Sequence, residues 1–199
     1  LMNKITLIII FCFFAIKTEA YTLQKYTLDL NYPWGMTWLN TTQLLITEKK
    51  TARILLFDTS NNTSTIISHK IPVASWGQGG LLDIISEGNV VWVTCSIMKD
   101  KLLTTAVYKS TLKNNSLVSS ELIFEATPYI NNAKHFGSRM TILDDYLIVS
   151  IGERGKGDLA QDPSNSIGSI VRIHKDGTLP VDNPYVTKPD WSKEIFQIG

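Results

Sequence analysis

Short runs of β-branched and aromatic residues recur along the chain, and Gly, Asn, Asp and Pro separate them. From residue 21 onward no segment keeps the apolar repeat of an amphipathic helix. The pattern therefore predicts an all-β protein. Strands are expected at Tyr26–Leu30, Gln43–Thr47, Arg53–Phe57, Thr65–Ser68, Gly80–Ile85, Asn89–Ser96, Thr104–Ser110, Leu122–Ala126, Met140–Leu143, Tyr146–Ile151 and Ser169–Ile173.

Three of the predicted hairpins follow one another in the same arrangement, and each is followed by a third and a fourth strand. The hairpins join Gly35–Leu39 to Gln43–Thr47, Gly80–Ile85 to Val90–Thr94, and Ser138–Ile142 to Tyr146–Ser150. A unit of about 40–60 residues with four strands is typical of a propeller blade. Propellers close with about four to eight blades, so three blades are expected to belong to a larger ring or to need a partner. A further strand is expected to start within residues 194–199.

The first twenty residues differ from the rest of the chain. Lys4 precedes an unbroken apolar run from Leu7 to Ala15, and a polar stretch ends at the small residue Ala20. This layout predicts a secretory signal peptide over residues 1–20. An uncleaved anchor is the alternative, although the run is shorter than the roughly 20 residues that a membrane-spanning helix needs. We therefore expect a secreted or periplasmic protein with no membrane span after cleavage, formed by residues 21–199.

The charge balance bears on the possible partners, and the cysteine content bears on how the fold is stabilised. The chain of 199 residues has 19 Lys and Arg against 18 Asp and Glu. Residues 21–199 keep 17 of each, so no basic surface indicates nucleic acid or an anionic membrane. Cys95 is the single cysteine after residue 20 and lies in an apolar strand. We expect a buried structural thiol and a fold without an internal disulfide.

The segment Trp76–Asp83 contains three glycines around Gln78. The glycines permit a tight turn and a close approach of a ligand to the backbone. The Gln78 amide offers both a donor and an acceptor, which suits a sugar hydroxyl. The alternative is a connection between blades in which glycine only turns the chain.

His135 precedes one strand of a predicted hairpin, and Glu153 follows the other. Antiparallel strands bring these two ends to the same edge of a sheet, so the two side chains can meet. Histidine is a natural proton acceptor near neutral pH, and a carboxylate on its other nitrogen would orient the ring. His69 and His174 lie in polar turns and are expected to be surface residues. No phosphate loop, dinucleotide fold, Gly-x-Ser-x-Gly elbow or Cys/His metal spacing occurs in the chain.

The ordered set of these segments resembles the quinone-dependent aldose sugar dehydrogenases of the glucose/sorbosone dehydrogenase family. The matching segments cover almost all of residues 21–199. They are Pro33–Met36, Leu45–Glu48, Gly77–Asp83, His135–Arg139, Ile151–Gly155, Ala160–Asp162, Asp176–Gly177 and Asp182–Pro184. The resemblance implies a six-bladed β-propeller, of which this chain covers about the first three four-stranded blades.

The resemblance also implies a chemistry. In that family pyrroloquinoline quinone (PQQ) lies over Ca²⁺ and accepts hydride from the sugar. The reduced quinone then passes its electrons to an external acceptor. Carried over, His135 is the general base and Glu153 orients it, at a position where the family usually has aspartate. Gln78 and Asp83 are expected to bind the sugar, and Arg139 and Arg154 to contact PQQ.

The resemblance leaves part of the cofactor site outside this sequence. The segment that carries the main PQQ contacts would begin at Gly199, and the Ca²⁺ ligands would follow it, so no metal ligand is assigned here. We therefore expect residues 21–199 to supply the base and to be inactive alone. A non-catalytic exported propeller that acts as a binding module is the alternative from another class. A calcium-dependent lactone hydrolase is a third, but its metal ligands do not match these segments.

Overall fold

The computed structural model describes residues 22–26 and 28–199, and the predicted signal peptide lies outside them. The all-β prediction is confirmed, since the described residues form strands and a single short 3₁₀ helix, Gly157–Gln161. None of their helices is long and apolar enough to cross a membrane. The strands are β1 (Pro33–Trp38), β2 (Gln43–Glu48), β3 (Arg53–Asp58), β4 (Thr63–Ile67), β5 (Leu81–Glu87), β6 (Val90–Lys99), β7 (Leu102–Lys113), β8 (Ser116–Glu125), β9 (Gly137–Leu143), β10 (Tyr146–Ile151), β11 (Ile170–His174) and β12 (Ile195–Gln197).

The strands form three four-stranded sheets in chain order, β1–β4, β5–β8 and β9–β12. Neighbouring strands within each sheet pair antiparallel. The three predicted blades are therefore confirmed, and they are called blades 1, 2 and 3 below. The strand expected near the end of the sequence is β12, which completes blade 3 by pairing with β11.

The prediction of a strand at Tyr26–Leu30 is wrong, because none of its described residues pairs with a strand. The Tyr26 ring instead packs edge-on against Phe57 of β3, with ring centroids 5.2 Å apart. This segment thus contacts the sheet through side chains, and the first strand of blade 1 begins at Pro33.

Strands β7 and β8 are longer than predicted because Asn114 and Asn115 both adopt positive φ, which makes a tight hairpin turn between the two strands.

Blade 2 packs against both of its neighbours. Leu45 and Ile54 of blade 1 share an apolar cluster with Ile84 and Val93 of blade 2. A second cluster joins Trp92 and Val107 of blade 2 to blade 3 residues Met140, Leu147, Val149 and Val171. Burial of these strand faces is the main source of stability in such an array. It also fixes the strand ends that carry the candidate site.

Two buried threonine hydroxyls link the innermost strands of successive blades. The Thr47 hydroxyl accepts a hydrogen bond from the Gly35 N–H of its own blade and donates to the Leu82 carbonyl of blade 2. Thr94 repeats this one blade later, because its hydroxyl accepts from the Asp83 N–H and donates to the Ser138 carbonyl. Each hydroxyl therefore satisfies polar backbone groups where the ladder with the neighbouring strand is irregular.

Candidate active site

The predicted site residues lie at one rim of the blades, where β5 and β9 begin and β10 ends. The register pairs Gly137 at the start of β9 with Ile151 at the end of β10. His135 lies just before the first of these positions and Glu153 just after the second. The antiparallel hairpin therefore brings the two residues together, as the sequence pattern indicated.

His135 Nδ1 pairs with Glu153 Oε1. The His135 side chain is 50% exposed, so part of it is open to solvent at the rim. Glu153 Oε1 also accepts a hydrogen bond of 3.0 Å from the Gly155 N–H. The hydrogen bond with His135 lowers the pKa of Glu153 below its usual value, with a smaller contribution from the backbone N–H groups. Glu153 is therefore a carboxylate at neutral pH. This partner favours the tautomer in which Nδ1 carries the proton and Nε2 is free to accept one.

The backbone of His135 adopts a left-handed conformation, with φ of 50°, and close contacts hold it there. Its carbonyl accepts a hydrogen bond of 3.3 Å from the Arg154 N–H. Gly152 lies directly against it, since a Cβ at residue 152 would be 1.9 Å from the His135 carbonyl oxygen. Gly137 also lies against Gly152, because a Cβ at residue 137 would be 2.5 Å from the Gly152 nitrogen. Glycine at both positions is thus required by space between the two strand ends.

Gln78 is exposed at the same rim, in the turn that precedes β5. Its Oε1 accepts a hydrogen bond of 2.8 Å from the His135 N–H, and its own N–H donates to the Ala133 carbonyl at 2.8 Å. The bond to His135 orients the amide so that the Nε2 donors point away from the His135 backbone. The loop of blade 2 therefore contacts the histidine of blade 3 through the residue predicted to bind sugar.

Asp83 is buried, and both of its carboxylate oxygens contact blade 3. Oδ1 accepts from Arg139 Nη1 at 2.9 Å, and Oδ2 accepts from the Met140 N–H at 2.8 Å. Arg139 in turn donates from Nη2 to the Trp34 carbonyl of blade 1 at 3.1 Å. These contacts join the inner strands of all three blades. The prediction that Asp83 binds sugar stays a prediction, and its contacts give it a structural role in addition.

Arg139 remains mostly exposed although it makes these two contacts, and it is the predicted PQQ contact that solvent reaches. Its guanidinium lies 5.8 Å from the Trp34 ring centroid, and Lys49 Nζ lies 4.3 Å from the same ring. Two cations and an indole thus lie together at the inner edge of the blades. Arg154, the other predicted PQQ contact, is fully buried, and its guanidinium donates to backbone carbonyls. The prediction for Arg154 stays untested, and its burial favours a structural role.

The remaining predicted residues lie apart from the site. The prediction that both other histidines lie in turns is wrong for His174, which is the last residue of β11. His69 follows β4, and both side chains are half-buried. His69 Nε2 contacts the Ala52 carbonyl, and His174 packs against Tyr146. Cys95 is buried, as predicted. A hollow of about 460 Å³ lies between the outer edges of blades 1 and 2, lined by Ser68–Lys70 and Ser116–Ser120. No residue of the candidate site lines this hollow, so we do not consider it as the substrate pocket of His135.

From the sequence we assigned no role to Phe136 or Trp34, although both lie in segments that carry the family resemblance. Phe136 is buried with its ring 3.7 Å from the Arg154 guanidinium, and Trp34 provides the carbonyl that Arg139 contacts. An aromatic residue next to a candidate base was the available signal for Phe136. Nothing local indicated Trp34, because its partner Arg139 is 105 residues away.

The sequence profile of the family described as Glucose / Sorbosone dehydrogenase matches residues 30–199. The chain belongs to the glucose/sorbosone dehydrogenase family. Among curated proteins it is similar to the aldose sugar dehydrogenase YliI of Escherichia coli, with 26% identity over 180 residues. That match covers 85% of this chain and 48% of the relative. The chain spans about half the length of the curated relatives it matches.

Solved structures share the fold of the three blades. A glucose dehydrogenase crystal structure superposes with a TM-score of 0.82 and 27% identity, over 88% of this chain and 54% of that one. An aldose sugar dehydrogenase from Streptomyces coelicolor, solved in its PQQ-bound form, shares the fold with a TM-score of 0.76. Its identity is 23%, and the match covers 88% of this chain and 52% of that protein.

Proposed function

We propose that this chain supplies the general base of a sugar dehydrogenase that oxidises the anomeric hydroxyl of an aldose. The observation that carries the proposal is the contact between the half-exposed His135 and the Glu153 carboxylate. Family membership supports the reaction class, and relatives that are named glucose and aldose sugar dehydrogenases support the substrate class.

His135 accepts the proton of the sugar hydroxyl at Nε2. Glu153 accepts a hydrogen bond from Nδ1–H and stabilises the imidazolium that forms. The glutamate is one methylene longer than the aspartate expected from the family resemblance. Its Oε1 nevertheless reaches the ring while also accepting the Gly155 N–H, so the extra length is accommodated by the turn at residues 153–155.

Gln78 presents its Nε2 donors to an oxygen of the sugar, because its Oε1 is already used by the His135 N–H. The residue that binds the sugar is thus hydrogen-bonded to the residue that takes its proton. Asp83 acts on the same site by holding Arg139, and a direct contact of Asp83 with sugar remains part of the proposal.

PQQ is the proposed cofactor, and when bound it supplies the acceptor for the hydride. Among the described residues, Arg139 fits an anionic quinone best because its guanidinium is exposed beside Trp34. For Ca²⁺, the described part of the chain holds no group of three or more His, Cys, Asp or Glu side chains arranged for a metal. We therefore assign no residue of this chain to the Ca²⁺ that the resemblance implies, and derive no step through it.

The test is an aldose-dependent dye-reduction assay on the full-length protein, with and without added PQQ and Ca²⁺. We expect turnover that requires PQQ, and the His135→Ala variant should lower kcat by about 10²–10⁴-fold, the usual contribution of a general base. His69→Ala and His174→Ala are matched controls that should leave kcat unchanged.

Two outcomes would contradict the proposal. Turnover that survives His135→Ala would exclude this residue as the base. A folded protein that binds a saccharide but never reduces the dye with PQQ and Ca²⁺ would favour the non-catalytic binding module.

The export that residues 1–20 predict remains part of the proposal, with secretion or the periplasm as the destination and an external electron acceptor as the second partner.

A further inference from the structure

Arg154 is the most completely buried charged side chain beside the site, with 0% of its surface exposed. Within the described part of the chain no carboxylate forms an ion pair with it, and its guanidinium donates instead to three backbone carbonyls. Nε donates to Lys134 at 2.9 Å, Nη1 donates to Leu103 at 3.0 Å, and Nη2 donates to Asn132. Burial lowers the pKa of Arg154 to about 10, so the group stays protonated at neutral pH.

The partners of Arg154 surround the candidate base. Asn132 and Lys134 precede His135, and the Phe136 ring that follows it lies 3.7 Å from the guanidinium. The third acceptor, Leu103, is the second residue of β7, where it pairs with Met98 of β6 and is fully buried. One side chain therefore joins the segment on both sides of His135 to a rigid strand of the neighbouring blade.

The main chain of Arg154 acts on the same segment. Its N–H donates to the His135 carbonyl, and the preceding residue Glu153 pairs with the imidazole. Both His135 and Arg154 have left-handed backbone conformations, with φ of 50° and 57°. Such conformations persist only where the surrounding contacts determine them. The guanidinium adds contacts to Lys134 and Phe136, the residues on either side of His135.

We propose that Arg154 is a positioning residue for His135, and not a contact of the cofactor. The proposal rests on the proposed function for its kinetic consequence, but its structural part can be tested without turnover. Arginine is required because a planar group with five donors can meet three carbonyls in different directions and lie flat on an aromatic ring. Lysine retains the charge and loses both features.

The experiment compares Arg154→Lys with wild type in the full-length protein. We expect kcat for the aldose to fall by about 10²-fold, the usual cost of displacing a catalytic group by about 1 Å. KM for the aldose and the affinity for PQQ, followed by quenching of tryptophan fluorescence, should change less than twofold. The ¹³Cε1–¹H NMR signal of His135 at a fixed pH should shift or broaden, while those of His69 and His174 stay in place.

Two further variants keep the test decisive. Phe136→Leu removes the ring under the guanidinium but keeps the site apolar, so it should move the same His135 signal if Arg154→Lys fails to fold. Arg172→Lys is the matched control, because Arg172 is a partly buried arginine that contacts Asp182 and Asn183 and none of residues 132–136.

The outcomes separate this inference from the proposed function. An unchanged His135 signal and unchanged kcat in both Arg154→Lys and Phe136→Leu would overturn the positioning role even if His135→Ala is inactive. A selective loss of PQQ affinity in Arg154→Lys would overturn it in favour of a cofactor contact. If His135→Ala keeps full turnover, the proposed function fails, and a moved His135 signal still supports the structural role of Arg154.

Discussion

Replacing Gly152 by alanine tests the geometry of the site most directly. The added Cβ would lie 1.9 Å from the His135 carbonyl oxygen, whereas an ordinary contact starts at 3.4 Å, so the groups must separate by about 1.5 Å. The opposing atoms belong to the backbone, so no change of rotamer relieves the overlap. A displacement of this size at a catalytic group lowers kcat by about 10²-fold or more. Overpacking should also destabilise the fold by about 1–3 kcal/mol.

The assay measures kcat by dye reduction and the free energy of unfolding by urea titration, in the full-length protein. Gly157→Ala is the matched control, because a Cβ at residue 157 meets no atom within 4 Å. The same change five residues along should therefore leave both quantities near their wild-type values. If Gly152→Ala behaves like Gly157→Ala, the close approach of the two strand ends does not position His135, and the reasoning is refuted.

Two other groups give predictions about pH and reactivity. Burial alone would raise the pKa of Glu48, but hydrogen bonds from Arg53, the Asn31 N–H and Thr51 lower it from 4.5 to about 2. Because the folded pKa lies below the unfolded one, the stabilisation of up to about 3 kcal/mol is present above about pH 5 and lost as pH falls towards 2. Urea titrations across that range should show a larger loss in wild type than in Glu48→Gln, in which the other carboxylates still titrate; parallel curves would contradict it. Burial raises the pKa of Cys95 to about 12, so a thiol reagent at pH 8 should react only after unfolding, and rapid labelling of the native protein would contradict this.

The local sequence pattern was sufficient to predict the three blades and the contact between His135 and Glu153. Strand alternation and turn residues are encoded within a few positions, and a hairpin necessarily brings its two ends together. The wrong strand at Tyr26–Leu30 shows the limit of that logic. Its apolar residues fit a strand, but Tyr26 packs on Phe57 without joining a ladder.

The roles of Arg139 and Arg154 depended on contacts that no local pattern contains. Arg139 reaches Asp83 across 56 residues, and Arg154 reaches Leu103 across 51. A cation in a glycine-rich rim motif fits a cofactor contact and a backbone anchor equally well in sequence. Burial distinguishes the two side chains, since Arg154 is buried and Arg139 is exposed, and burial follows from how neighbouring blades pack.

The threonine hydroxyls between blades have a consequence for how the protein opens. Separating blade 1 from blade 2 would leave the Leu82 carbonyl without the Thr47 hydroxyl, and separating blade 2 from blade 3 would do the same to the Ser138 carbonyl. A small separation that admits no water would leave that carbonyl unsatisfied at a cost of about 1–3 kcal/mol, so such partial opening is opposed at each seam. The Gly35 and Asp83 amide protons, held by hydroxyls at these seams, should therefore exchange with solvent only in large openings that involve whole blades. We therefore expect the rim that holds His135 to open only together with the blades that carry it.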